Sequence, residues 1–303
     1  IANFGGDVEY ITRLPDNALG ETCLAELRSH NIGTRHILIG GHRLGTYYME
    51  KAAAMRNSKV IYDREGSAFS ELKPGMIDWH AAFADAAIFH WSGIDAALTP
   101  GLAEVCKEAI TVAKEMGLTI SYDINYRKNL WNYGKSAQEV LRPLMVSSDI
   151  MFGSEGEYAL LTGIPAPGFK ATKSGETYDV KAYEEFCKAI SQQIPNCKYI
   201  YIALRNVMSS EHHTFAGVLY SNGSMKYTRV FDIDNVIDCA GVGDAFCGAM
   251  LYAQHAYEDE QKRVDFSTAA SVLKNTIAGD YNIVKVSEVE GLLAKHESGE
   301  VAR

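Results

Sequence analysis

Asp238–Gly248, read DCAGVGDAFCG, sets two glycines and an aspartate between a strand-like and a helix-like segment. Upstream, Val230, Phe231, Ile233, Val236 and Ile237 favour β-structure; downstream, Phe246, Ala249, Met250, Ala253 and Tyr257 recur at helical spacing. Asp244 therefore falls at a helix N terminus. The amides of Gly241 to Asp244 have no partners inside that helix and can converge on an anion such as a terminal phosphate. Two glycines let the backbone come close. Asp244, beside the same helix dipole, can take a proton from an attacking hydroxyl while the amides offset charge on the transferred group. The pattern reads as a phosphoryl-transfer site, against the bland alternative of a strand-to-helix turn with an acidic first turn.

Two other phosphate-binding patterns fail on spacing. A dinucleotide fingerprint requires GxGxxG, but Phe246 stands where the third glycine belongs. Gly134, Lys135 and Ser136 resemble the end of a P-loop, yet Asn129 occupies the place of its first glycine, so this GKS is expected in a loop.

The 303 residues, 47% hydrophobic, can bury one large core with a small appended element. No apolar run reaches transmembrane length and no signal peptide is visible. The cysteines, Cys23, Cys106, Cys187, Cys197, Cys239 and Cys247, lack paired metal spacing, and a reduced cytoplasmic protein is expected. A net charge of −9 argues against nucleic acid or an anionic membrane as partner, and an anionic substrate needs local cations.

Strand-like and helix-like runs alternate as in a parallel sheet with helices on both faces. Ala87–Trp91 is a short apolar run, Leu102–Met116 is helical and stopped by Gly117, and Leu118–Tyr122 is strand-like again. Asp149–Phe152 leads into a helix around Glu157–Leu161, Asp179 caps a helix running through Ile194, and Tyr199–Leu204 is a buried-type strand. Asn222 and Gly223 fit a two-residue hairpin turn better than a glycosylation site. Ser287 with Glu290 suggests a capping box for the last helix. Thr46–Glu50 and Lys59–Arg64 break the alternation: both are β-like, with no room between them for a crossover helix, which implies an antiparallel flap.

DCAGVGDAF resembles the DTxGAGDxF signature of the ribokinase (PfkB) family of sugar kinases. The resemblance implies a three-layer α/β/α fold with a mostly parallel central sheet and a small β-sheet lid. It assigns Asp244 as catalytic base and Gly241, Val242 and Gly243 to the anion hole. The core would comprise 7–35 and 72–303; the lid would comprise 1–6 and 36–71, cover the sugar, exclude water and join a second copy of the chain.

GTYYME at Gly45–Glu50, VIYDREGSAFS at Val60–Ser70, HWSGI at His90–Ile94, DINYRKNLW at Asp123–Trp131, ALR at Ala203–Arg205 and LKNTIAGDYN at Leu273–Asn282 are similar to the 2-keto-3-deoxygluconate kinase branch of that family. By that resemblance Tyr47, Tyr62, Arg64, Asn125 and Arg127 line the sugar pocket. A guanidinium from Arg64 or Arg127 suits the carboxylate of a 2-keto-3-deoxy acid, and the tyrosines supply a flat wall with a hydroxyl tip. The family's NxxE motif appears as Ser154–Glu157, which places Ser154 on the nucleotide side and Glu157 near Mg2+ through water. Arg205 is expected near ATP phosphates, and Asn275 and Asn282 in the adenine pocket. At the start, the family's opening strand and the helix after its GG pair have no counterpart after IANFGG; Gly5 and Gly6 match the sugar-contacting glycines, and Asp7–Thr12 reads as a strand.

The expected activity is ATP-dependent phosphorylation of the terminal hydroxyl of 2-keto-3-deoxygluconate. A kinase for a neutral sugar such as fructose or ribose, and a sugar or nucleotide sensor without turnover, are the alternatives.

Overall fold

The computed structural model describes residues 1–51, 53, 54, 56 and 58–298; parts of the expected flap connection Lys51–Ser58 and the last residues of the expected core lie outside them. In chain order the elements are β1 (Arg13–Leu14), α1 (Ala18–Ser29), β2 (Leu38–Ile39), β3 (Thr46–Glu50), β4 (Lys59–Asp63), α2 (Trp79–Phe83), β5 (Ile88–Ser92), α3 (Gly93–Leu98), α4 (Pro100–Glu115), β6 (Thr119–Asp123), α5 (Ala137–Met145), β7 (Ile150–Ser154), α6 (Glu155–Thr162), α7 (Val180–Gln193), β8 (Tyr199–Val207), β9 (His213–Ser221), β10 (Ser224–Tyr227), β11 (Phe231–Ile233), α8 (Val242–Ala256), α9 (Glu260–Lys274) and α10 (Val286–Ser298).

The main sheet has the order β10-β9-β8-β7-β6-β5, with β11 on the other part of β9. Strands β5 to β8 are parallel, and β9 runs against β8, β10 and β11, so β9 alone is reversed. Alternation along β8 assigns the two faces. Ile200, Ile202 and Leu204 pack in the cluster that contains Ala109, Leu141, Tyr158 and Tyr183 from α4 to α7. Tyr201 joins Val242, Phe246, Met250 and Val264 from α8 and α9. Both faces are thus covered, and every residue of β9 is buried, as central strands of layered α/β folds are. A third cluster seats α10 on α8 and α9 through Ala249, Phe266 and Val289.

The flap is a separate two-stranded antiparallel sheet in which Tyr47 faces Tyr62 and Tyr48 faces Ile61. Asn222 and Gly223, both at positive φ, join β9 and β10 as a two-residue turn. Gly134–Ser136 is not a phosphate loop: Ser136 caps α5 in a capping box with Glu139.

Three expectations differ from the structure. Residues 1–6 pack with the core and not with the flap: Phe4 meets Tyr252 and Phe266 at 5.2 and 5.4 Å between ring centroids. The strand expected at Asp7–Thr12 does not form over that range: it has an isolated bridge at Glu9, and ladder pairing begins only after it, where β1 at Arg13–Leu14 runs beside β2. The last helix starts before Ser287, because Glu288 reaches back to the Lys285 amide at 2.8 Å while Glu290 is taken by the Tyr257 hydroxyl.

The crossing of β5 into α3 is a tight approach at the strand ends. A Cβ on Gly93 would stand 2.2 Å from the Ile124 carbonyl oxygen, at the end of the neighbouring β6. Neither backbone can yield without moving the loop that follows β6. Gly93→Ala should therefore destabilise by about 1–3 kcal/mol, as overpacking does, read as a lower urea midpoint with an unchanged slope.

Candidate active site

The C-terminal ends of β5, β6, β7 and β8 bring Ser92, Asp123, Ser154 and Arg205 to one edge of the sheet, where ligands gather in open α/β sheets. The N terminus of α8 stands over that edge. Each helix from α1 to α7, and α9, has its first turn closed by a side chain: Asn17, Asp78, Ser92, Thr99, Ser136, Ser154, Asp179 and Asp259. Helix α8 has none, since its N-cap is Gly241. The amides of Val242, Gly243 and Asp244 are left for another acceptor. Gly243 and Asp244 are exposed, and a Cβ on Gly243 would meet nothing within 4 Å, so the space before these amides is open.

Gly241 is demanded twice: its φ is +71°, and a Cβ would lie 2.1 Å from the Asp280 carbonyl oxygen. The segment before it is tied down. Asp238 accepts the Ala240 and Gly279 amides, each at 3.0 Å, and the Ile237 and Asp238 amides bond the Asn275 carbonyl. Ser271 donates to the Val242 carbonyl at 2.8 Å.

Around Asp244 the structure gathers Glu157, Arg127 and Asp123. Burial holds the Asp123 carboxyl well above the usual carboxylate range, and Glu157 and Asp244 push it the same way while Arg127 opposes them. Glu157 accepts the Ser154 amide at 2.7 Å, the Ser154 hydroxyl at 2.9 Å and the Tyr126 amide at 2.7 Å, with Arg127 at 3.9 Å. The Ser154–Glu157 pair is thus a capping box for α6. Serine keeps what a cap needs, a side-chain acceptor for the first turn, and this accounts locally for the departure from NxxE.

At the flap, the guanidinium of Arg64 lies over the Tyr62 and Tyr47 rings at 5.1 and 6.0 Å. Burial and Asp280 raise the Tyr47 phenol, so Tyr47 is the donor in its bond to Asp280. Asn125, at φ 41°, donates to the Ser92 hydroxyl at 3.1 Å. Arg205 is exposed near the end of β8. Asn275 and Asn282 have local roles: their amide groups donate to the Ser271 and Ala270 carbonyls at 2.9 and 3.3 Å. Gly5 and Gly6 are not brought into this cluster. Gly5 closes the turn Ala2–Phe4, and the Gly6 amide bonds Ile1.

Asp95, Asp123, Lys274 and Asp280 escaped the reading of the sequence, although each lies in or beside a block singled out there. The signal that could have found them was an ionisable residue inside an otherwise apolar stretch, as in SGIDAAL and SVLKNT. Two flap contacts add to the set: Tyr47 to Asp280, and the Lys51 ammonium to the Ile237 carbonyl. Among the described residues no group of three or more His, Cys, Asp or Glu could hold a metal ion, and no helix is long and apolar enough to cross a membrane.

The arrangement can bind an anion at α8 and present a carboxylate beside it, with the tyrosines and Arg64 of the flap joined to the same region through Tyr47 and Asp280. The family model for pfkB family carbohydrate kinases matches residues 1–194. A 2-dehydro-3-deoxygalactonokinase of Haloferax volcanii is 29% identical, over 98% of this chain and 85% of its own. The crystal structure of 2-dehydro-3-deoxygluconokinase from Thermotoga maritima superposes with a TM-score of 0.88 at 34% identity, over 97% of this chain and 86% of that one. A fructokinase from Xylella fastidiosa, solved with bound ATP, shares the fold at a TM-score of 0.75 and 19% identity, over 99% and 88% of the two chains.

Burial pushes the Asp95 carboxyl up to about 6, opposed by the Ser92 amide and by Arg64. The folded chain then holds this proton more tightly than the unfolded one, so stability falls as pH rises from 3.8 to about 6 and stays lower above. Asp95→Asn should leave Tm nearly unchanged at about pH 4 and raise it at about pH 8. An equal shift at both pH values would show that the carboxyl charge is not the cause.

Proposed function

The chain belongs to the pfkB family of carbohydrate kinases, and from that premise we propose that it transfers the γ-phosphate of ATP to the terminal hydroxyl of 2-keto-3-deoxygluconate, the 2-dehydro-3-deoxy sugar acid. The uncapped N terminus of α8, with Asp244 in its first turn, carries this reading. Asp244 takes the proton of the attacking hydroxyl late in a loose transition state, and the Gly241–Asp244 amides receive charge on the transferred group. Arg64 and Arg127 hold the carboxylate of the sugar acid, Tyr47, Tyr62 and Asn125 line its pocket, and Arg205 meets the nucleotide's phosphates. The names of the relatives support a sugar acid, since two of them are called kinases of 2-dehydro-3-deoxy acids.

Magnesium fits this donor set only as an ion carried by the nucleotide. Both Glu157 oxygens are committed to the Ser154 and Tyr126 amides, so this carboxylate meets the ion through water, as hydrated magnesium accepts. When bound, the ion neutralises charge on the β- and γ-phosphates.

The flap serves as a lid and as a contact between two copies of the chain. Tyr48 and Ile61 oppose each other on its outward face, 61% and 55% exposed, and a second flap is the surface that suits them. The six cysteines, none of them paired, suit the reducing cytoplasm.

With magnesium ATP, 2-keto-3-deoxygluconate should turn over and fructose and ribose should not. Asp244→Asn should lower kcat roughly 10²- to 10⁴-fold while keeping the fold, and Arg64→Ala or Arg127→Ala should raise the sugar-acid KM about tenfold or more. Turnover of a neutral sugar, unaffected by the arginine variants, would refute the carboxylate role. Ligand-induced stabilisation without ADP release from the natural chain would leave a sensor instead.

Replacing both Tyr48 and Ile61 by Lys should halve the mass measured by light scattering; a natural chain that is monomeric would remove the lid contact.

A further inference from the structure

Lys274, the last residue of α9, has no exposed surface, and the phosphoryl transfer described above does not use it. Its ammonium donates to the Ile277 carbonyl at 3.0 Å. A buried cation is costly unless nearby groups balance it. Burial lowers the ammonium's affinity for its proton, while Asp238, Asp280, Cys239 and Asp244 all act to retain it. The C-terminal end of α9 favours a cation by its dipole as well.

Its neighbours in sequence explain the position. Ser271, one turn earlier, holds the carbonyl of Val242, the first residue of α8. Asn275, the next residue, accepts the amides of Ile237 and Asp238 through its carbonyl. Asp238 in turn holds the amide of Gly279, and the carbonyl of Asp280 fills the space beside Gly241. Lys274 thus lies where the segment entering the anion site, the first turn of α8 and the 277–280 turn converge.

We infer that Lys274 is a positioning residue for phosphoryl transfer. Its ammonium holds the Ile277 carbonyl and attracts the carboxylates of Asp238 and Asp280 at longer range, so that the turn behind Gly241 stays in place and the uncapped amides of α8 keep their aim. It also gives the anion site a fixed positive charge on the protein side, which a net charge of −9 otherwise works against. The inference rests on the phosphotransfer reading of α8.

Lys274→Met keeps the apolar stem and removes the charge. A merely structural buried lysine would give a variant of equal or higher Tm with full activity. For a positioning cation the same Tm should accompany a kcat for magnesium ATP and 2-keto-3-deoxygluconate lowered roughly ten- to hundredfold, with the sugar KM nearly unchanged. In Lys274→Ala, ethylammonium should enter the space left and raise kcat about tenfold at constant Tm. Full kcat in folded Lys274→Met overturns the inference, as does a loss that ethylammonium leaves untouched. Should Lys274→Met fail to fold, Lys274→Ala purified with ethylammonium decides: kcat must rise with the amine beyond any gain in folded fraction, and a kcat that only follows folding overturns it. Asp244→Asn is assayed alongside. Inactive Asp244→Asn beside fully active Lys274→Met removes the inference alone, whereas fully active Asp244→Asn removes the phosphotransfer reading and the inference with it.

Discussion

The junction between the end of α9 and the start of α8 is the constraint on which the site depends. A helix N terminus normally has its free amides closed by its own cap, and every capped helix of this chain does so with Ser, Thr, Asp or Asn. To leave α8 open, the chain must hold it from behind. It does so with the Ser271 hydroxyl on the Val242 carbonyl, the Asn275 carbonyl on two amides, and the Asp238 carboxylate bridging the Ala240 and Gly279 amides. Each such bond is worth only about 1 kcal/mol net. Their common effect is geometric, because they fix both sides of Gly241 at once.

The flap lands on the same junction. Tyr47 reaches Asp280 and Lys51 reaches the Ile237 carbonyl, so two side chains from β3 and its end touch the two segments that frame Gly241. A two-stranded sheet has little core of its own, and exposed polar contacts of this kind are weak individually. The flap is therefore held by weak contacts, as the proposed role of a cover calls for. The guanidinium of Arg64, over both lid tyrosines, makes the wall cationic where a sugar acid would arrive.

Local signals were legible in the sequence because one residue type sufficed to state them. The helix start at Asp244, the Asn222–Gly223 turn, the Asp179 cap and the flap strands were all of this kind, set by φ, by capping chemistry or by period. Relations across the chain were not. Asp280 comes beside Gly241 only through the packing of α9 on α8, and nothing in GDYN announces a neighbour 39 positions earlier. Asp123 stands at a strand end beside two carboxylates from other segments, a proximity that only the parallel order of β6 and β7 creates. The capping box expected at Ser287 failed for a related reason: Glu290 had a tertiary partner, the Tyr257 hydroxyl, that outcompeted the local one. The family signature pointed to Gly241, Val242, Gly243 and Asp244, and it was silent on the residues that hold them in place.

Charge poses the remaining problem, since an acidic chain must bind a polyanion and a sugar acid beside Asp123, Glu157 and Asp244. Net charge acts over a Debye length, whereas the site is decided within a few ångströms, where fixed dipoles and buried cations are poorly screened. The answer here is local and layered. Free amides of α8 face the open space, Arg64 and Arg127 stand on the proposed sugar side, Arg205 on the proposed nucleotide side, and a buried Lys274 lies beneath the turn that seats Gly241. Burial and its neighbours hold Asp123 toward its neutral form, which spares the cluster part of its negative charge. A cluster of acids can then coexist with phosphate binding because the carboxylates divide the work among them. Glu157 closes α6, Asp238 braces the loop, and Asp244 alone faces the open space at α8.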